Sequence, residues 1–254
     1  SELDELADGA DPASFEGVLA AWDFSATPAS SSAMADVGPH RLSGSLVNYP
    51  MRGLTGHTWD GTAFRRLEAP EQYGAIHFHA DDFDDSRWEA DFRFEVPDGL
   101  RSGFYAARLR GAGEEDHVPF FVSPPPGERT ADIAYLVPTA TYLAYANERI
   151  LTSNPDHDFS GLTNIPITMD PLDDYLGEHR ELGGSIYDLH TDMSGIAYSS
   201  SRRPIVSMRP THRHWVTGGP RGYGFDLYLV DWLEAKGHAY DVFTDEDLHH
   251  QGVD

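Results

Sequence analysis

One stiff segment, Ser123-Pro124-Pro125-Pro126-Gly127-Glu128-Arg129, separates two different hydrophobic patterns, and that change constrains the fold more than any other feature. Three consecutive prolines keep a backbone extended and withhold N–H donors, so the segment reads as a polar linker over residues 123–130. Before it, apolar residues follow the period of two that puts one face of a strand in a core and the other in water. The clearest case is residues 87–96, where Trp88, Ala90, Phe92, Phe94 and Val96 alternate with Glu89, Asp91, Arg93 and Glu95. Residues 18–24, 102–109 and 118–122 read as further strands. Short Gly- and Pro-punctuated segments stand at 41–50 and 56–64, a Ser/Ala/Pro loop at 27–32 and a Gly/Glu loop at 111–115. Short strands with turns at this spacing predict an antiparallel β-sandwich over residues 15–122. Residues 1–14, acidic and rich in Gly and Ala, predict a flexible arm.

After the linker the pattern is that of an α/β domain, residues 131–254. Ile133-Ala134-Tyr135-Leu136-Val137 is a continuous apolar run of buried-strand type, and residues 139–147 turn into a helix or tight loop. Residues 204–208 are a second candidate strand. Residues 225–235 form an amphipathic helix, with Leu227, Val230, Leu233 and Ala235 on one face and Gly237 as its stop. Residues 241–244 are a third strand, with Thr244 or Asp245 capping the segment after it. The order β–α–β begins a parallel sheet, and such sheets use more than three strands. The domain is therefore expected to be incomplete and to continue past Asp254.

The 42 acidic and 18 basic residues give a formal charge of -24, which would repel a phosphate backbone or an anionic membrane surface. Nucleic acid and membrane are excluded as partners on that ground. Cysteine is absent, which excludes disulfides, zinc–thiolate sites and a cysteine nucleophile. The first residues lack the basic start and apolar run of a signal peptide, so the cytoplasm is the expected location.

Several clusters could carry chemistry. Tyr142 and Tyr145 follow the carboxyl end of the first α/β strand, the edge at which open α/β sheets bind ligands. Their spacing of three places both on one side of a helical turn. A second polar cluster runs from Ser185 through Tyr187, Asp188, His190 and Asp192 to Gly195. Tyrosines at such an edge also commonly pack with their hydroxyls in water. His77 and His79 alternate ahead of Asp81, Asp82, Asp84 and Asp85, a set that suits a divalent metal or simply a solvated acidic turn. His212 and His214 flank Arg213, and His249 and His250 stand near the end; both are weaker metal candidates. The loop Gly218 to Gly224 precedes a helix, but Asp226 would repel phosphate there, so it is read as shaping a substrate site. Neither a GxSxG elbow nor an HExxH helix occurs.

Taken in order, the segments Trp59-Asp60-Gly61, residues 73–79, 102–106 and 118–122, Pro138-Thr139…Thr141-Tyr142…Ala144-Tyr145-Ala146-Asn147, Tyr187-Asp188…His190…Asp192 and Trp232-Leu233-Glu234…Gly237-His238 resemble the large subunit of N,N-dimethylformamidase. The resemblance implies a lectin- or immunoglobulin-like sandwich followed by a glutamine-amidotransferase-like α/β domain. It implies a mononuclear iron, Fe(III), bound by two tyrosines and a glutamate. Tyr145 and Tyr187 are the best matches for the tyrosines, with Tyr142 the fallback for the first; Tyr142, Asn147 and His190 would line the substrate pocket. The glutamate belongs to a His-Pro-Glu segment that the sequence does not contain, and both it and the general base are expected beyond Asp254. The implied activity is hydrolysis of the C–N bond of N,N-dimethylformamide or a related formamide to formate and dimethylamine. Implied partners are the rest of the large subunit, a small subunit and further copies. The alternative is a non-catalytic sandwich that binds carbohydrate or a partner on an α/β scaffold.

Overall fold

A computed structural model describes residues 2–26, 31–153, 167 and 169–252. Part of the expected 27–32 loop and the last two residues lie outside this set. Chain contacts define two units, residues 1–82 with 189–197, and residues 83–188 with 198–254. Among the described residues no helix is long and apolar enough to cross a membrane.

The first unit starts with helix α1 (Glu2–Ala7) and a 3-10 turn at Pro12–Ser14, both inside the segment expected to be a flexible arm. Asp11 caps that turn, its carboxylate accepting from Ala13 N at 3.0 Å. Two small antiparallel pairs follow: β1 (Ala33–Met34) with β2 (Gly44–Ser45), and β3 (Met51–Leu54) with β4 (Ala75–His77). The second pair shifts register between Arg52 and Leu54, where Gly53 takes φ +71°. Buried carboxylates do much of the work of a core here. Asp36 is 3% exposed and accepts from the N–H groups of Ala21, Gly38 and Leu42. The Ala21 hydrogen bond, more than any other interaction, holds its pKa below the ordinary carboxylate value. Gly38 is required at this point, because a Cβ there would come within 2.8 Å of Asp36 Oδ1.

The second unit begins with a regular hairpin, β5 (Gly103–Gly111) and β6 (Glu114–Val122), in unbroken register. Its turn residues Ala112 and Gly113 both have positive φ, the geometry that matches strand twist in a two-residue connection. Strand β7 (Ile133–Val137) leads into α2 (Thr139–Ala144), followed by α3 (Ile150–Ser153) and α4 (Pro171–Glu178). Asp170 and Asp173 close a capping box at the start of α4. Helix α5 (Tyr223–Lys236) ends at Gly237 in the left-handed region, where the N–H groups of Gly237 and His238 bond back to Glu234 and Leu233. Strand β8 (Tyr240–Thr244) pairs parallel with β7, and Thr244 caps α6 (Asp245–Gln251).

One core joins these parts. Val137, Tyr142, Tyr223, Val230, Leu233, Tyr240 and Val242 are buried together, with Phe104 and Phe121 of the hairpin against them. Val137 and Val242 are wholly buried, each contributing about 1.5–3 kcal/mol. Ser102 ties the hairpin to the sheet, donating to Val122 O and accepting from Val242 N at 2.7 Å. The proline-rich segment thus lies within the second unit. Leu176, Leu182 and Val206 make a smaller cluster beside it.

The β-then-α/β order and the parallel β–α–β unit agree with the sequence reading, but several strands do not. The described strands form four two-stranded sheets. Residues 87–96 carry no strand, and Trp88, Phe92, Phe94 and Val96 are all exposed. Alternation says which side chains share a face; a strand also needs a paired backbone, and among the described residues this segment pairs with none. Residues 204–208 turn instead of extending, because Asn147 and Arg209 take up their backbone groups. Residues 18–24 hold only an isolated bridge from Trp22 to Asp36.

Candidate functional site

Helix α2 is a turn and a half long and leaves the carboxyl end of β7. As the spacing predicts, Tyr142 and Tyr145 lie on successive turns, but their environments differ. Tyr142 points into the core and donates its hydroxyl to Asp226 in the first turn of α5. Burial first, and Asp226 next, push its pKa far above the ordinary tyrosine value. Tyr145 terminates the helix at φ -101°, ψ 6°, half-buried, with its ring outside that core.

Tyr187 meets Tyr145 because their loops are laced together one residue earlier: Ile186 N donates to Ala144 O at 3.1 Å. Asp188 secures the Tyr187 loop, accepting from Ser185 N at 2.7 Å and Arg149 N at 3.0 Å. The two phenol rings stack with centroids 4.5 Å apart and planes 14° apart, and their oxygens are 2.9 Å apart. The Tyr187 pKa is raised, chiefly by the hydrogen bond it shares with Tyr145, while the charge of Arg221 pulls it the other way. Arg221 lies over the Tyr145 ring at 4.0 Å from its centroid, a cation–π contact. This arginine supplies the chemistry of the Gly218–Gly224 loop, and the sequence reading passed over it.

Beside the pair is a pocket of about 320 Å³ lined by Thr141, Tyr142, Tyr145, Met208, Arg221 and Tyr223, among others. His212 and His214 border it too. Burial lowers the pKa of His212. Glu148, close by, accepts from Trp215 Nε1 at 2.9 Å and faces His214 Nε2 at 3.4 Å. Burial raises its pKa, but those hydrogen bonds outweigh burial and leave it lowered. A larger hollow of about 620 Å³ runs along Ala134, Leu136, Asp241 and Phe243. It is a sheet face with acidic groups and no phenol or imidazole in its lining, so the smaller pocket is the candidate site.

Asn147, expected in the pocket, is fully buried and serves as a clamp. Its amide donates to Leu182 O at 3.2 Å and Pro204 O at 2.9 Å, and accepts from Val206 N at 2.9 Å. Buried Arg203, which sequence reasoning missed, does similar work by donating to Leu182 O, Gly184 O and Ser199 Oγ. Burial lowers its pKa to about 10. His190 belongs to the first unit, where its Nδ1 is 2.9 Å from Asp81 and its ring stacks on His79. His77 ends β4 exposed, and His249 and His250 lie on α6.

Comparison with known proteins gives the context of this geometry. Residues 51–254 match the family described as N,N-dimethylformamidase beta subunit-like, C-terminal. The N,N-dimethylformamidase beta subunit of Paracoccus aminophilus is 42% identical over 250 residues, covering 93% of this chain and 31% of that protein. That of an Alcaligenes species is likewise 42% identical over 250 residues, with the same shares. The chain therefore spans about a third of the length of these curated relatives. On the identity and the span of the match, the chain belongs to the N,N-dimethylformamidase beta subunit-like family.

Proposed function

We propose that this chain contributes two iron ligands, Tyr145 and Tyr187, to an amidohydrolase that cleaves N,N-dimethylformamide or a related small formamide to formate and dimethylamine. The observation that carries the reading is the convergence of two phenol oxygens at 2.9 Å, on loops 42 residues apart in sequence, beside a pocket. The fit to a metal is geometric: neighbouring oxygens on an octahedral ion with bonds of about 2.0–2.1 Å lie about 2.9 Å apart. It is also chemical, since phenolate and carboxylate are hard anionic donors suited to a trivalent ion. Tyr145 is preferred to Tyr142, whose hydroxyl is engaged by Asp226. The third donor is the glutamate of the His-Pro-Glu segment implied by the family resemblance, outside these 254 residues.

A ferric ion held there would polarise the amide oxygen and acidify a water molecule. The chain's own residues prepare that site. Arg221, stacked on Tyr145, favours by its charge the phenolate form of Tyr187. Met208, Tyr142 and Tyr223 offer apolar surface to the N-methyl groups, while Asn147, Asp188 and Arg203 fix the loops that carry the phenols. The same reading includes a cytoplasmic enzyme with a sandwich and an amidotransferase-like domain when whole, a partner subunit and association of copies; the relatives' naming as beta subunits supports the partner.

The test is iron content and visible absorption of the full-length subunit. Stoichiometric iron with a phenolate-to-metal charge-transfer band, lost in Tyr145→Phe and in Tyr187→Phe, is the expected result. Colourless, iron-free protein that binds glycan would favour the non-catalytic alternative, and full iron in both variants would remove these tyrosines from the site.

A further inference from the structure

We propose that His79, Asp82 and His190 form a second metal site, in the first unit, which takes a divalent transition ion of the zinc class and ties loop 189–197 to the turn after β4. Each imidazole is held through Nδ1 by its own carboxylate: His79 by Asp192 at 3.0 Å and His190 by Asp81 at 2.9 Å. A ring that donates its Nδ1–H to a carboxylate presents a bare lone pair at Nε2, the arrangement found around metal-ligating histidines. Both Nε2 atoms face one carboxylate, that of Asp82, at 3.2 Å from His79 and 3.4 Å from His190. Lone pairs opposed to carboxylate oxygens repel each other unless a cation lies between them.

A bridging proton is poorly placed for that task. His79 Nε2 and Asp82 Oδ2 are buried and, despite their separation, make no hydrogen bond to each other or to any other described group. Close but misaligned is the relation of two ligands on one ion. Ligands at about 2.0–2.1 Å on a tetrahedral ion are about 3.3–3.4 Å apart, which matches these separations. All three donor atoms lie within 4.8 Å of one another. Two imidazoles and a carboxylate are a donor set for zinc or its neighbours, not for calcium or magnesium.

The surroundings are built for a fixed ion. The His79, His190 and Asp192 side chains are 1%, 2% and 0% exposed, while Asp82 at 20% leaves an entry path. Asp192 is held in turn by Ser194 N at 2.9 Å, Ser194 Oγ at 2.5 Å and Met51 N at 3.3 Å, and Asp81 also accepts from Thr191 N at 3.2 Å. Three carboxylates, Asp81, Asp82 and Asp192, surround the two imidazoles, and a dication would offset much of their charge. The rings stack with centroids 3.8 Å apart and planes 6° apart, so loading must spread them, each pivoting on its Nδ1 hydrogen bond. His190 is over a hundred residues from His79 and Asp82 in sequence, so the ion would act as a structural clip, closing a long loop.

The experiment is a Co²⁺ titration of chelator-treated protein in a Tyr145→Phe/Tyr187→Phe background, where the phenol pair cannot contribute. Expected are one equivalent bound, d–d bands of a four- or five-coordinate ion, and a rise in the unfolding temperature on adding Zn²⁺. Asp82→Asn, checked for fold by circular dichroism, should weaken binding by at least about 10-fold, and His190→Gln should do the same. No Co²⁺ uptake by the parent protein overturns the site, even if a variant fails to fold. So does undiminished uptake by either folded variant.

Discussion

The Tyr145–Tyr187 and His79–His190 pairs are both stacked rings with centroids within 5 Å, but they are supported in different ways. The histidines are held at the ring, His79 Nδ1 by the buried carboxylate of Asp192 and His190 Nδ1 by the exposed carboxylate of Asp81. The tyrosines are positioned from behind: Asn147, Asp188 and Arg203 fix the loops, and among the described residues the rings meet each other and Arg221. Exposure follows the same division, since Tyr187 is 49% exposed and His190 only 4%. Donors free at the ring and open to a pocket suit exchange of substrate, whereas imidazoles that are nearly buried and held at Nδ1 suit a lasting ion. The general lesson is that where the support is applied, to the loop or to the side chain, separates a reactive site from a structural one.

The largest effect should come from removing support behind the tyrosines. Arg203→Met leaves the carbonyl of Gly184 without its buried donor and that of Leu182 with Asn147 alone, and should cost about 3–5 kcal/mol in denaturant unfolding. A loss below about 1 kcal/mol would mean the loops are not held in this way. Next, Tyr145→Phe or Tyr187→Phe should lower amidase activity more than about 100-fold, exceeding the 10–100-fold typical of an outer partner, with the unfolding midpoint nearly unchanged. A large stability loss in either would show that the rings, not the loops behind them, hold this region.

Acidity separates the two regions further. Asp173, in the second unit, has its pKa raised to about 6, first by burial. Its folded pKa is above the unfolded one, so its contribution is complete below about pH 4 and is lost as pH rises through 6, on the order of 3 kcal/mol. Asp36, in the first unit, has a lowered pKa, so its contribution is present above about pH 4 and is lost as pH falls below that. Hydrogen exchange against pH should show α4 loosening towards neutral pH and the segment around Ala21 and Gly38 loosening in acid. Parallel profiles would remove this contrast, and Asp173→Asn should abolish the α4 response. The smallest effect is a control at neither pair. Ala112→Gly relieves a left-handed alanine at φ +51° and should raise stability by about 0.5 kcal/mol, leaving iron and Co²⁺ binding untouched.

Much of the second unit was legible in the sequence. The apolar run at Ile133–Val137, the helix stop at Gly237 and the Thr244 cap all act within a few residues, and each stands where the pattern placed it. The 87–96 alternation misled because a strand is completed by a partner that its own sequence does not name. At the tyrosines, the spacing of three was readable. That Tyr142 turns to Asp226 while Tyr145 turns to Tyr187 was not, because it depends on α5 and on a loop 42 residues away. Asn147 looked like a pocket residue and is a buried clamp, since a polar side chain reads the same whether its partners are ligand or backbone.

Composition and local pattern by themselves determined that this acidic, cysteine-free chain runs from β to α/β structure, and where its best helix and its parallel strands lie. Those properties come from short-range sterics, capping and burial, which a neighbouring stretch of sequence contains. Only the tertiary structure decided which tyrosines stack together, which histidines face one carboxylate, and which buried side chains hold loops in place. Such convergence joins residues separated by tens to more than a hundred positions, and it comes from the packing of the whole unit, which no single segment encodes.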